Sequence, residues 1–346
     1  MLNIATAAVA AVLAAAGASP DRKPDTLLHR FFDLQLATVE TRYRYIETSA
    51  GVTAANQWQH KETFKGAFKF DEKGRYTVQA LLGTGSNFSA SWDATGVGTG
   101  DPTWDFRVRR LWARAVPVDG LELSAGSFDV LRGEATEIMS YDNDAYMQGY
   151  RVSVRRPSRA FFDEISVTAG YLGDLAQPNV FKRFKWMDDH NYTQALVAKR
   201  VGKMFAASID WTSVDHVDTV REGVRIGAKD LLPGVVDDVR VQAYQRTDSP
   251  TGTGLSVEAE RFFSNRAMAY GGYAHADRNN PLLNGDRYGR GHRVYGGGSI
   301  NLRPELMLAL FYTHAFANDY PIANHQRLDI VLSYNVLKAL QQHHGW

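Results

Sequence analysis

A chain of 346 residues is long enough for one large β domain or two average ones, and 44% hydrophobic residues leave no surplus for a bundle of membrane helices. A net charge of +1 excludes bulk electrostatic attraction to nucleic acid. The absence of cysteine excludes disulfides, thiolate metal sites, iron–sulfur clusters and cysteine nucleophiles, so backbone ladders and packing must hold the fold.

The one long apolar run stands at the start, MLNIATAAVAAVLAAAGASP. It is Ala-rich, carries no side-chain charge and ends in Ala16-Gly17-Ala18, an A-x-A-like cleavage site, so 1–18 reads as a secretory signal peptide. No later run reaches about 18 apolar residues, so no membrane-spanning helix is expected. In the segment 19–38, PDTLLHRFFDLQ (24–35) has the apolar spacing of a short amphipathic helix.

From there a period of two takes over. TRYRYIET (41–48) sets Tyr43 and Tyr45 against Arg42 and Arg44, and TFKGAFKF (63–70) sets Phe64, Phe68 and Phe70 against Lys65 and Lys69. After the turn at 71–74, RYTVQALL (75–82) alternates again. WDFRVRRLWARAV (104–116) opposes Trp104, Phe106 and Val108 to Asp105, Arg107 and Arg109, and loses phase at Arg109-Arg110, where a β-bulge is expected. LELSAGSF (121–128) and QGYRVSVRR (148–156), with Arg151 and Arg155 on the polar face, flank a long loop over 129–147. The pattern repeats through 164–173, 191–200, 203–213, 219–230, 237–248, 255–263, 267–276, 292–303 and 307–316. It ends in QRLDIVLSYNVL (326–337), where Leu328, Ile330, Leu332, Tyr334 and Val336 alternate with Arg327, Asp329, Ser333 and Asn335.

This gives about sixteen strands. Their connections are short near 71–74, 117–120, 157–163, 201–202, 231–236, 264–266 and 304–306. They are mostly longer and more polar near 84–103, 129–147, 174–190, 277–291 and 317–325, with shorter members near 49–57, 214–218 and 249–254. Aromatics gather at both strand ends: Phe68, Phe70, Tyr76, Phe161, Phe162, Phe262 and Phe263 beside short turns, and Trp104, Tyr171, Tyr192 and Trp211 beside long loops. Short turns on one side, long loops on the other and two aromatic girdles point to an all-β transmembrane antiparallel β-barrel over 39–338, with a tail at 339–346. The apolar face then meets lipid and the polar face lines the lumen.

In these features the chain resembles the bacterial outer-membrane porins of the sixteen-stranded kind over about 40–338. The resemblance implies that the loop after the fifth strand, here 129–147 with Glu134, Glu137, Asp142 and Asp144, folds inward and narrows the pore. It also implies that these acids face a basic wall on the early strands, here Arg42, Arg44, Lys65, Lys69, Arg107 and Arg109. It implies passage of small hydrophilic solutes, an outer-membrane location and, as is frequent in that family, a homotrimer. Porins usually finish on a strand with a terminal Phe, whereas KALQQHHGW (338–346) runs past the last strand here.

Further inferred lumen positions carry Arg151, Arg155, Arg221, Arg225, Lys229, Arg240, Arg293 and Arg303 against Glu122, Asp210, Glu258, Glu260 and Asp329. Cationic linings select anions, so small anionic solutes such as a phosphate, an organic acid or a uronic-acid sugar are the expected cargo. Paired and hydrated charges without selectivity are the competing reading. No G-x-S-x-G, H-E-x-x-H or P-loop is present, and no cofactor, metal or nucleic-acid partner is expected. Two other functions stay open. A rim enzyme would use DDH (188–190) and DHVD (215–218), and a soluble periplasmic all-β binding protein would bury the apolar face.

Overall fold

The structure, a computed structural model, describes residues 30–87, 90–134, 146–155, 161–172, 177–279, 289–316, 322 and 324–344. Seventeen strands form one antiparallel sheet: β1 Phe32–Glu47, β2 Thr53–Lys69, β3 Tyr76–Gly83, β4 Asp93–Gly98, β5 Arg107–Val118, β6 Leu121–Asp129, β7 Tyr146–Arg155, β8 Glu164–Tyr171 and β9 Tyr192–Val201. The series continues with β10 Phe205–Val214, β11 Val217–Gly227, β12 Asp238–Arg246, β13 Thr253–Phe262, β14 Ala267–Ala276, β15 Gly291–Arg303, β16 Leu306–Phe316 and β17 Gln326–Asn335. Sixteen of them pair in chain order and close into a barrel, β17 returning to β1 in a ladder from Thr38↔Asn335 to Glu47↔Gln326. The seventeenth, β4, lies outside the ring and pairs with the upper part of β2 above the end of β3.

The faces sort as period two requires. On β17, Ile330, Leu332 and Tyr334 are exposed on the outside, while Arg327, Asp329 and Ser333 are buried within. The same inversion holds around the ring. Val152, Val167, Val197, Ile209, Val257, Val294, Leu308 and Leu310 point outward and are exposed, whereas Gln79, Arg151, Thr168, Gln194, Asp210, Gln242 and Arg293 are buried on the inner face. An apolar exterior over a polar interior is the reverse of a soluble β protein and suits a hydrocarbon surround.

Phe68, Phe70, Tyr76, Phe161, Phe262 and Phe263 are exposed at the short-turn end, as expected of a girdle. At the other end Trp58, Trp104 and Trp211 are exposed, but Tyr192 is 1% exposed and points inward, because it falls in phase with the lumen residues Gln194 and Leu196. The outer connection expected over 214–218 contracts to the two-residue turn Asp215-His216, with φ of 48° and 67° as a primed hairpin turn demands.

Several boundaries differ from the sequence reading. β1 starts at Phe32, and among the described residues of 24–35 only Arg30 and Phe31 are helical, because a bulge between Leu34 and Leu36 resets the alternation while β2 satisfies the backbone. β2 starts ten residues early, at Thr53, through a stretch polar on both faces that rises above the apolar belt. β5 starts at Arg107, not at 104. β17 stops at Asn335, whose Oδ1 accepts from Lys338 N at 2.9 Å and so caps a terminal helix, α2 (Val336–His344); a short helix, α1 (Val180–Arg183), precedes it in the chain. α2 packs against β1 and buries Ala339 and Leu340, so the expected tail is structured.

A glycine rank bends the wall at the long-loop end. Gly126, Gly149 and Gly170 stand opposite one another on β6, β7 and β8, and Gly126 adopts φ 124°. A Cβ at Gly170 would lie 2.0 Å from the Gln148 carbonyl oxygen, so the strands approach too closely for any other residue. Beyond this rank Ser127 and Phe128, and Tyr146, Met147 and Gln148, are buried in succession.

The inversion predicts opposite responses on neighbouring positions. Ile330→Arg, on the outer face, should cost about 2–4 kcal/mol near mid-barrel, while Val331→Gln on the inner face should stay within about 1 kcal/mol of wild type. Reversible urea unfolding in lipid vesicles measures both.

Candidate functional site: the lumen wall

The lumen is organised around three charge centres. The first lies on β1 and β17. Asp329 receives Arg327 at 2.6 Å, Arg44 at 2.9 Å and Arg42 at 3.7 Å. Arg42 also donates to Gln59 Oε1 and lies over the Trp92 ring at 4.0 Å. One carboxylate among three guanidinium groups leaves this wall with an excess of positive charge.

The second centre is on the wall formed by β9, β10 and β11. Arg221 and Asp210 are both buried and pair at 2.6 Å. The chain leaving β6 descends here, three to five strands round the ring. Leu131 O accepts from Gln194 Nε2 at 3.0 Å and Arg221 Nη2 at 2.9 Å, and Glu134 N donates to Ser208 Oγ at 2.7 Å. Glu134 then pairs with Arg200 at 3.0 Å and Arg225 at 3.5 Å. Residues 130–134 therefore run inside the barrel against its wall. The contacts are polar: Leu131 and Glu134 supply acceptors to three arginines and a glutamine on this wall.

Above this wall an apolar cluster of Trp112, Phe128, Val130, Tyr146, Met147, Leu172 and Tyr192 fills the inner side of β5 to β9. Arg183 of α1 is fully buried against it, donating to Gln148 Oε1 at 3.1 Å and Leu172 O at 2.6 Å and lying over Tyr146. The connection between β8 and β9 is thereby pinned into the mouth of the barrel.

The third centre is a recess of about 390 Å³ on the inner wall of β1, β2, β3 and β5. Its residues form rows. Leu36, Lys65, Leu81 and Arg110 are in register across the four strands. Thr38, Thr63 and Gly83 make the next row, and Glu40 and Lys61, paired at 3.3 Å, the third. The expected bulge occurs in β5, where Leu81 pairs with Arg110 and Leu82 with Val108, leaving Arg109 as the extra residue. It turns both Arg109 and Arg110 inward, where both are buried. Arg109 donates to the carbonyls of Thr84, Asn87 and Ala90 and braces the excursion between β3 and β4. Arg110 pairs with Asp129 and lies over Tyr146. Lys65 lies over Trp112 at 5.4 Å.

The other anticipated residues are dispersed. Arg107 pairs with Asp105; Lys69 lies on the inner face near the short-turn end. Arg151 donates to Thr168 Oγ1 and Asp129 O, and Arg155 bridges Glu122 and Glu164. Glu134 meets Arg200 and Arg225 rather than Arg42, Arg44, Arg107 or Arg109, because the inward chain crosses to the far wall. Glu137, Asp142 and Asp144 lie outside the described residues. Lys229, beyond the end of β11, and Arg303, at the end of β15, are exposed. Lys61 and Arg110 went unrecognised in sequence, the first because its neighbours are polar on both sides, the second because the bulge hides its phase.

At the outer rim, burial raises the Asp277 carboxyl, but hydrogen bonds from Thr253 and His275 outweigh it and hold the group below the usual range. DDH (188–190) and DHVD (215–218) are neighbours, joined by Asn191 Nδ2 donating to Asp215 Oδ1 at 3.2 Å. Among the described residues no group of three His, Asp or Glu is placed to hold a metal.

Solved structures share this architecture. Three variants of the Rhodopseudomonas blastica porin superpose with TM-scores of 0.54, 0.54 and 0.56 at 10%, 11% and 11% identity, each match covering 88% of this chain and 99% of the porin. The chain has the fold of a sixteen-stranded porin. No family model and no curated protein matches the sequence. At such identity the shared feature is the porin fold, not any side chain of its lumen.

Asp329→Ala removes the carboxylate shared by Arg42, Arg44 and Arg327. Stranding buried charge should cost about 3–5 kcal/mol, read as an earlier urea midpoint for loss of the compact, heat-modifiable form on gels.

Proposed function

We propose that the chain is an outer-membrane channel through which small hydrophilic solutes diffuse, with a preference for anions. The porin fold and the inside-out distribution of polarity support the channel. The observation that carries the anion preference is the inner-wall recess, where Lys61, Lys65, Arg109 and Arg110 outnumber two carboxylates, Glu40 paired with Lys61 and Asp129 paired with Arg110. A confined pore with low-dielectric walls magnifies such an imbalance and concentrates counter-ions of the opposite sign. The three arginines around Asp329 add to the same sign on the adjoining strands.

In this reading residues 1–18 direct export, the outer face meets lipid, and the barrels assemble as trimers. Segment 129–147 narrows the pore, and the contacts of Leu131 and Glu134 with the far wall support that role. The proximity of the runs 188–190 and 215–218 is bridged by an asparagine amide, which offers no acid–base pair, so the enzyme reading gains no support from it.

Purified protein in planar bilayers tests the proposal. Discrete conductance steps should appear, with a reversal potential in a KCl gradient on the anion-selective side. Lys65→Glu combined with Arg110→Glu should move that potential towards cation selectivity. Failure to form channels would remove the porin function, and an unmoved potential would remove the role of the recess in selectivity.

A further inference from the structure

We infer that the recess on β1, β2, β3 and β5 is a discrete binding site for a polyhydroxylated organic anion of about monosaccharide size, such as a sugar acid. The inference rests on the channel reading but goes beyond it, since a diffuse positive lining would attract any anion without holding one.

Three features point to a site rather than a lining. The first is size. At about 390 Å³ the recess falls within the range of small-molecule sites, about 300–1,000 Å³, and exceeds the need of a chloride ion. The second is the layered chemistry of its rows. Lys65 stands at one end for a carboxylate, beside Arg110 with its partner Asp129; Thr38 and Thr63 offer hydroxyls in the middle, and the Glu40–Lys61 pair at the other end supplies an acceptor beside a donor. Leu36 and Leu81 give an apolar patch for the C–H face of a sugar ring. A simple inorganic anion would use one end of this gradient and leave Glu40 repulsive. The third is the state of Lys65. Among the described residues no carboxylate lies within ion-pair distance of its ammonium, which rests on Trp112 at 5.4 Å instead. A half-buried cation that rests on a ring face and is repelled by an adjacent arginine is poised for an exogenous anion. Gly83 allows close backbone approach in the middle row, since a Cβ there would meet the Glu62 carbonyl at 2.9 Å.

Glucuronate is the probe, added to the wild-type channel conducting KCl in a planar bilayer. The chloride current should fall along a saturable curve. Glucose, which lacks the charge, and acetate, which lacks the hydroxyls, should each block far more weakly. Lys65→Gln should raise the half-blocking concentration by more than about tenfold. Lys65→Arg should restore most of the block, and Lys73→Gln, in the exposed short turn outside the lumen, should leave it unchanged. A channel that conducts but shows no saturable block by glucuronate overturns the binding site while leaving the pore intact. Equal block by glucose or acetate also overturns it, as does full block in Lys65→Gln. A protein that forms no channels fails at the earlier step, the pore itself.

Discussion

Everything in this structure depends on the closure of one hydrogen-bond ladder, between β1 and β17. An open sheet edge in hydrocarbon leaves each backbone N–H and C=O unpaired at several kcal/mol apiece. The ten-residue register from Thr38↔Asn335 to Glu47↔Gln326 removes both edges at once. Closure then fixes inside and outside for every residue on every strand, because a slip of one position would exchange the two faces. Asp329 can meet Arg42 and Arg44 across that seam only in this register. The charge cluster and the closure therefore support each other: the ladder positions the ions, and their pairing penalises any other register.

The inside of the barrel is filled unevenly. Chain returning from the long-loop end packs onto the wall of β9 to β11 through Leu131 and Glu134, and Arg183 anchors a second connection over the apolar cluster of β5 to β9. Tyr244, Tyr295 and Phe311 are likewise buried on the inner side of β12, β15 and β16. The basic rows of β1 to β5 keep an accessible hollow, and their electrostatics weigh on any solute that enters it. In the proposed channel, selectivity would follow from where inserted chain leaves space as much as from a count of charges.

The barrel was legible in sequence because period two survives in nearly every strand and because connection lengths alternate by side. The last strand, QRLDIVLSYN, sorts inward and outward as its alternation requires. What escaped has local causes. The bulges at Leu34–Leu36 and at Arg109 shift phase by one residue, and a period-two reading cannot say which of two adjacent residues is the extra one. The upper half of β2 stands above the apolar belt, so its outward face has no reason to be hydrophobic. Which acids oppose which arginines was beyond sequence altogether, because Glu134 reaches Arg200 and Arg225 through a path set by the fold.

The measurement that bears most directly on this account is nitroxide scanning of residues 327–334 with the protein reconstituted in lipid. Relaxation by oxygen, which partitions into hydrocarbon, should peak at 328, 330, 332 and 334. Relaxation by a water-soluble nickel chelate should be weak at those positions, and the two accessibilities should oscillate out of phase with period two. High accessibility to the nickel chelate at 330 and 332, with oxygen showing no opposing maximum, would place the apolar face outside lipid and contradict the barrel as a membrane-spanning wall.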